Sequence, residues 1–273
     1  MFKWILGLLA IPLILGLVFL LLMGNPQSEF EPERLRQFRL TMTGEYLGYV
    51  GHGLWHPHLL VSGANNAEHT LPLPGDKLIL NPKMQMTRAI TIDAPAKDIW
   101  PWLLQMGYGR GGWYAWSPLG KDREYGEKIT SADKILPEYQ QLNIGHILLE
   151  GPDSDKRKGI WIVKMLYQDR ALVLYSAREI YSGKEIDPKG PKPTVEYIVR
   201  SRAFLLEPID ARKTRLVLRT RIDTGPAPSF RLNNFILRLG DTARERSILD
   251  GIKERVELAN KAPTIFTPGP DHE

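Results

Sequence analysis

The loop from residue 107 to residue 116 holds the side chains best suited to recognising a small molecule. One cation, Arg110, stands there among large aromatic rings, which in chain order are Tyr108, Trp113, Tyr114 and Trp116. Rings with an apolar body and a polar edge suit the rim of a binding pocket, although the same rings can plug a core. Because an arginine is rarely buried without a partner, we expect Arg110 to be the leading polar contact to a ligand, with the four rings around it.

The same loop formally matches the glycine pattern of dinucleotide-binding proteins, G-x-G-x-x-G, between Gly107 and Gly112. That pattern binds a nucleotide where it follows a strand and opens a helix. Here it follows a helical segment and continues into aromatic residues. We therefore reject a nucleotide site and predict no cofactor.

Two more residues join the candidate ligand-binding set, namely Arg88, which interrupts an apolar row, and Asp133, in a short acidic and aromatic segment. With Tyr114 they are candidates for a positioned acid or base, but none has a partner close by in sequence. The chain has no nucleophile elbow, no zinc-protease motif, no Walker loop and no carboxylate pair with a histidine. We predict no catalytic residue.

Metal binding is not predicted either. The chain has no cysteine, which excludes thiolate zinc sites. The glycines at 51 and 53 argue against a helical i, i+4 arrangement of His52, His56 and His58 on a metal. No carboxylate accompanies them in sequence. The pair at 153 and 155 lacks the full calcium-loop pattern and is expected to be a solvated turn.

The elements that must position these residues follow from periodicity. Residues 84–92 alternate as a half-buried strand, and residues 96–106 carry an apolar stripe at helical spacing that Pro101 is expected to kink or split. Further strands are predicted at 146–149, 160–166, 171–176, 196–206 and 214–223. Residues 230–260 are predicted to be helical with an interruption at 240–241. Successive strands with short turns indicate an antiparallel sheet, so the fold class is α+β.

The pairing register of this sheet decides to which of its two faces five arginine side chains point. Arg215, Arg219 and Arg221 alternate with apolar residues and are expected on the outer face, either solvated or as a basic patch facing a membrane. Arg200 and Arg202 stay open because a bulge would change the register. If they point inward, they are candidates for neutralising an acidic ligand, since a buried arginine needs a partner.

A strand ending in I-x-I-x-A-P, followed by a short helix with Ile99-Trp100, resembles the start of the START-like (SRPBCC) superfamily. That superfamily includes polyketide cyclase/dehydrase-like and lipid-transfer proteins. The segments GYGRGGWYAW and ADKILPEYQ resemble its membrane-anchored bacterial branch, whose activity is unknown. The resemblance spans about residues 74–260. It implies a helix-grip fold, in which a curved antiparallel sheet wraps a long C-terminal helix and leaves an apolar cavity.

The first residues predict a membrane anchor. Residues 4–23 carry no charge, and at about 1.5 Å per residue they span a bilayer core of about 30 Å. The expected organisation is an anchor at 1–24, a membrane-proximal linker at 25–83, the helix-grip domain at 84–260 and a disordered tail at 261–273. The basic residues on the two sides of the anchor do not decide which side of the membrane holds the domain.

Composition bounds the function. Of 273 residues, 43% are hydrophobic and 25% charged, which suits one globular domain with appendages. A net charge of +5 is compatible with an anionic partner, and for a tethered chain we expect membrane lipid rather than nucleic acid. The first hypothesis is a binding domain for an apolar or amphipathic small molecule, with lipids among the candidates. The alternatives are a cyclase or dehydratase acting on a polyketide-like or aromatic substrate, and a ligand-free scaffold at the membrane.

Overall fold

The computed structural model describes residues 62–115, 123–124, 127–128, 131–151, 159–179, 182–187, 190, 193–194, 196–225 and 230–261. The predicted anchor, the three histidines at 52, 56 and 58, the turn at 153–155, the tail from residue 262 and Trp116 lie outside these ranges. Within them, none of the helices combines the length and the apolar character that crossing a bilayer requires. The predicted anchor therefore stays a prediction.

One six-stranded antiparallel sheet forms the centre of the described structure. Its strands are β1 (Met84–Ile92), β4 (Ile147–Leu149), β5 (Ile160–Tyr167), β6 (Ala171–Glu179), β7 (Tyr197–Pro208) and β8 (Thr214–Gly225). They pair in the order β1-β8-β7-β6-β5-β4, so the first strand in the chain is an edge strand that pairs with the last. The strands β2 (Arg123–Glu124) and β3 (Glu127–Lys128) form a separate small hairpin.

In the described ranges, three α-helices accompany the sheet, namely α1 (Asn66–Thr70), α2 (Ala96–Leu104) and α3 (Phe230–Lys261). The apolar stripe of α3, with Leu249, Ile252 and Val256, packs on the inner rows of the sheet, and α2 adds Trp102 and Leu103 to the same core. Packing a long C-terminal helix against one side of an antiparallel sheet fits the predicted α+β helix-grip architecture. We call this side of the sheet the helix-facing side.

Two predicted breaks in the helices are absent from the described structure. Pro101 lies inside α2, which runs as one nine-residue helix rather than two pieces. A short helix tolerates this because few of its residues depend on the one hydrogen bond that proline cannot donate. Residues 240–241 do not interrupt α3, which is continuous over 32 residues.

Residues 62–83 cover the outer face of the sheet. We call them the outer strap; they lie within the segment that the sequence analysis treats as a linker. Leu71 and Leu73 of the outer strap pack on apolar side chains of β1, β6, β7 and β8. Gly75 adopts a φ of +90°, and its α-carbon lies so close to Val173 that a β-carbon would clash.

The outer strap overturns the expectation of solvated arginines on this face. Arg219 is only 2% exposed and donates to the Asp76 carboxylate at 2.8 Å and to main-chain carbonyls of the outer strap. Arg215 donates from Nε to Glu68 at 2.6 Å, and Arg221 lies 3.4 Å from the second Asp76 oxygen. These arginines hold the outer strap to the sheet, so they do not form a free basic patch.

Candidate ligand-binding site

The helix-facing side of the sheet is divided into an apolar half and a charged half. Phe204 and Leu206 of β7 lie in the core under α3. Because side chains alternate along a strand, Arg202 and Arg200 of the same strand point to this side as well. The register agrees, since Arg202 stands between Leu174 of β6 and Thr220 of β8. The open question about the two arginines is thereby answered: they face α3.

Four arginines and two glutamates meet in the charged half. We call them the arginine–glutamate cluster, and its members are Arg88, Glu150, Arg200, Arg202, Arg244 and Glu245. The Arg88 and Glu245 side chains, 3% and 0% exposed, form a hydrogen-bonded ion pair, and the second Glu245 oxygen lies 3.6 Å from Arg202. Glu150 accepts from Arg200 at 2.8 Å and from Arg244 of α3. The formal charge of these six side chains is +2.

Aromatic rings form one wall of the arginine–glutamate cluster. The guanidinium carbon of Arg200 lies 4.4 Å from the centre of the Trp161 ring, and that of Arg202 lies 4.7 Å from it. Arg202 also lies 5.9 Å from the ring of Trp113. Cation–π attraction offsets part of the cost of removing these guanidinium groups from water. Both tryptophans are fully buried.

The electrostatics keep Glu150 ionised. Burial by itself raises the pKa of this carboxyl group, but the neighbouring Arg200, Arg244 and Arg202 outweigh burial and lower the pKa well below the ordinary value. The glutamate therefore carries its negative charge at neutral pH and acts as an acceptor. A carboxylate held in this state is a poor proton donor.

Several buried polar atoms on this side make no hydrogen bond within the described part of the chain. They are Trp161 Nε1, Arg88 Nε, Thr220 Oγ1 and Glu245 Oε1. The first two are donors only, because neither an indole N–H nor a guanidinium can accept. An unsatisfied buried donor costs about 1–3 kcal/mol. An acceptor that reached the Trp161 or Arg88 donor would remove this cost.

Gly159 is required for the Glu150–Arg200 pair to reach its position. A β-carbon built on Gly159 would lie 1.8 Å from Glu150 Oε2 and 2.6 Å from a terminal nitrogen of Arg200. The glycine backbone also accepts from the Glu150 main-chain N–H at 2.8 Å. The side chains of the pair therefore lie directly on the main chain at the start of β5.

The structure gives Arg110, the leading predicted contact, a role in closing its own loop. Its Nε donates to the Met106 carbonyl at 3.2 Å, and one terminal nitrogen donates to the carbonyls of Leu104 and Tyr139 at 3.0 and 3.1 Å. Its guanidinium also stacks on the Tyr139 ring at 4.6 Å. These contacts join the end of α2 to residues 137–139, and a ligand contact by Arg110 stays a prediction.

The other predicted residues are dispersed. Trp113 donates from Nε1 to the Leu149 carbonyl at 3.0 Å, and Tyr114, 3% exposed, donates from its hydroxyl to the Trp102 carbonyl at 3.0 Å. Both rings thus plug the core. Tyr108 is half-buried and pairs through its main chain with Leu149, while Asp133 is exposed.

Of the predicted set, the structure places Arg88 inside the arginine–glutamate cluster and Trp113 beside it. Sequence reasoning missed Glu150, Trp161, Arg244 and Glu245. A signal existed for the arginines, since Arg200 and Arg202 share the parity of Phe204 and Leu206 in one strand. No comparable signal marks Glu245, because its partner Arg88 is 157 residues away in the chain.

Comparisons with known proteins leave the family open. No protein-family model matches the chain, and no curated protein is significantly similar to it. Among solved structures, the chain is similar to a START superfamily protein from Mycobacterium smegmatis, at 11% identity over 64% of this chain and 98% of that one, with a TM-score of 0.27. It is similar to the Zhui aromatase/cyclase from Streptomyces sp. R1128, at 14% identity over 66% and 96% of the two chains, with a TM-score of 0.29. A protein from Arthrobacter aurescens matches at 16% identity over 69% and 92%, with a TM-score of 0.36. At these identities and scores the similarities decide neither family nor activity.

Proposed function

We propose that this chain is a binding protein that holds an apolar or amphipathic small molecule between the sheet and α3. The observation that carries the proposal is the helix-facing side itself, where apolar rows adjoin the buried donors Trp161 Nε1 and Arg88 Nε, which have no acceptor in the described part of the chain. A site of this kind combines apolar walls, which supply most of the binding free energy, with a few fixed polar groups that orient the ligand. Each methylene group that leaves water contributes about 0.8 kcal/mol.

The proposal includes a membrane tether at residues 4–23 and membrane lipids as the source of the ligand. Its support is the uncharged run in the sequence. A ligand that is itself poorly soluble is most easily collected by a domain held at the bilayer.

The chemistry of the two buried glutamates supports binding over catalysis. A cyclase or dehydratase needs a group that gives or takes a proton in the reaction. Glu150 and Glu245 both stand in ion pairs with arginines, and Glu150 is held in its ionised form. Glu150 is therefore poorly suited to donate a proton, and both oxygens of Glu245 already face the guanidinium groups of Arg88 and Arg202.

Native mass spectrometry of the full-length chain tests the proposal. The protein would be purified in a maltoside detergent, incubated with a membrane lipid extract, repurified and stripped of its micelle by collisional activation. We expect one retained molecule per chain, whereas lipids loosely attached to an anchor would give a broad distribution. A chain that emerges only in its empty form would refute the binding proposal and favour a scaffold.

A further inference from the structure

We infer that the ligand is anionic and that its acidic group, a carboxylate or a phosphate, is bound by the arginine–glutamate cluster at Arg200, Arg202 and Trp161. This inference rests on the proposed function and names the chemical class of the ligand. Three observations carry it: the composition of the cluster, the geometry of its donors and its position at the end of the apolar rows.

The composition favours an anion. Four guanidinium groups and two carboxylates stand within one desolvated region, and five of these six side chains, from both the helix and the sheet, are at most 7% exposed. A positive region with low-dielectric walls attracts negative charge strongly, because little water remains to screen it. A cationic or strongly basic ligand would add to the positive charge that is already in excess there.

The geometry of the donors favours an oxyanion over a neutral acceptor. Arg200 and Arg202 both lie over the ring of Trp161, at 4.4 and 4.7 Å from its centre, so the two guanidinium groups are neighbours of each other and of this indole. Planar guanidinium groups match the paired oxygens of carboxylates and phosphates. Trp161 is fully buried, and its Nε1 has no acceptor among the described residues. An oxygen of the ligand would accept a hydrogen bond from this nitrogen.

The position favours an amphiphile. Along β7, Arg202 is followed on the same face by Phe204 and Leu206, and along β8 Thr220 is followed by Leu218 and Leu216. The Thr220 hydroxyl, which has no hydrogen-bond partner among the residues that the structure describes, stands at this boundary. A ligand with its acidic group on the guanidinium groups would have its apolar part beside these rows.

A structural ion-pair network is the competing explanation. Buried ion pairs are often no more stable than apolar residues of the same volume, so their presence alone does not prove a ligand. The two explanations differ in one measurable quantity. A ligand site must discriminate a charged molecule from its neutral analogue, and a structural network has no such preference.

The test uses the full-length chain in maltoside with three probes of equal chain length: hexadecanoic acid, hexadecanol and hexadecyl phosphate. Native mass spectrometry gives the fraction of folded chains that carry each probe, and competition gives the ratio of affinities. We expect the acid or the phosphate to bind at least tenfold more tightly than the alcohol. Preference between the two anions distinguishes a carboxylate ligand from a phosphate ligand.

Variants assign the preference to the cluster. Arg202→Met and Arg200→Gln should each reduce the anion-to-alcohol ratio at least fivefold, and Arg202→Lys should retain part of it. The Arg200 side chain is 16% exposed, which makes Arg200→Gln the better tolerated change. Arg219→Met is the matched control, because Arg219 is equally buried but lies on the outer face; it should leave the ratio unchanged.

The outcomes separate the two proposals. Equal binding of acid, phosphate and alcohol, or a ratio that the cluster variants leave unchanged, overturns this inference while the binding function stands. Binding of none of the three probes, with the lipid extract also leaving the chain empty, overturns both. A tenfold preference that disappears in the cluster variants and persists in Arg219→Met supports the inference.

Discussion

Replacing Glu245 with glutamine tests whether the arginine–glutamate cluster is as desolvated as its burial indicates. The substitution keeps the size and shape of the side chain and removes its charge. Glu245 is fully buried, pairs with Arg88 through one oxygen and lies 3.6 Å from Arg202 through the other. The change therefore removes the negative charge that two buried guanidinium groups share. It also replaces one acceptor oxygen with an NH₂ group, which is a donor like the guanidinium groups it faces.

The expected magnitude follows from this burial. Removing one partner of a buried ion pair costs about 3–5 kcal/mol, because the remaining charge stays in a medium of low dielectric. For a domain of roughly 200 residues, each kcal/mol lowers the melting temperature by about 2–4 °C. We therefore expect Glu245→Gln to lower the melting temperature of the full-length protein by about 6–20 °C.

Thermal unfolding followed by far-ultraviolet circular dichroism measures this shift, with Glu207→Gln as the matched control. Glu207 also pairs with an arginine, Arg170, at 3.6 Å, but the two side chains are 35% and 54% exposed. An exposed pair contributes only about 0–1 kcal/mol, so the control should melt within about 4 °C of the parent. Equal shifts in the two variants would refute the reasoning, because they would mean that water reaches the cluster as freely as it reaches the surface.

Two further predictions concern the same domain. First, because the pKa of Glu150 is lowered by folding, its contribution to stability is complete above the ordinary pKa of 4.5 and is lost as the pH falls further toward the folded-state pKa. Melting temperatures measured from pH 6 down to pH 3.5 should therefore decline less steeply in Glu150→Gln than in the parent. Identical slopes would contradict the assignment. Second, Gly251→Ala should lower the melting temperature, although alanine is intrinsically favoured over glycine in a helix by about 1 kcal/mol, because a β-carbon there would lie 2.1 Å from the Tyr114 carbonyl oxygen. A stabilised Gly251→Ala variant would show that the loop moves away from α3 at little cost.

Much of the secondary structure could be predicted from local patterns. The alternation from Met84 to Ile92 and from Thr214 onward predicts strands, and both are strands in the structure. The change to helical spacing after Pro95 predicts α2. These patterns are readable because a strand or helix that buries one face must repeat its apolar residues with its own period. The same local view fails at residues 240–241, where α3 is continuous, and at Pro101, which does not divide α2.

The candidate site could not be predicted in the same way. Arg200 and Arg202 share the parity of Phe204 and Leu206, but both faces of β7 carry apolar residues, so parity did not say which face turns toward α3. The shift in register between Val163 and Met165 shows why counting residues is unsafe across this sheet. The apparent binding loop around Arg110 closes on main-chain carbonyls. The composition of the loop alone did not distinguish an arginine that holds the loop together from one that contacts a ligand.

What the sequence alone determined is the kind of layer this protein builds: alternating strands, a short helix after the first strand and a long apolar-striped helix at the end. The tertiary structure decided which arginines are buried and with whom. Arg219 is removed from water by the outer strap, and Arg88 meets Glu245 across 157 residues of chain. The physical reason is that an apolar period is a local property of a segment, whereas the partner of a buried charge depends on which distant segments the folded sheet and helix bring together.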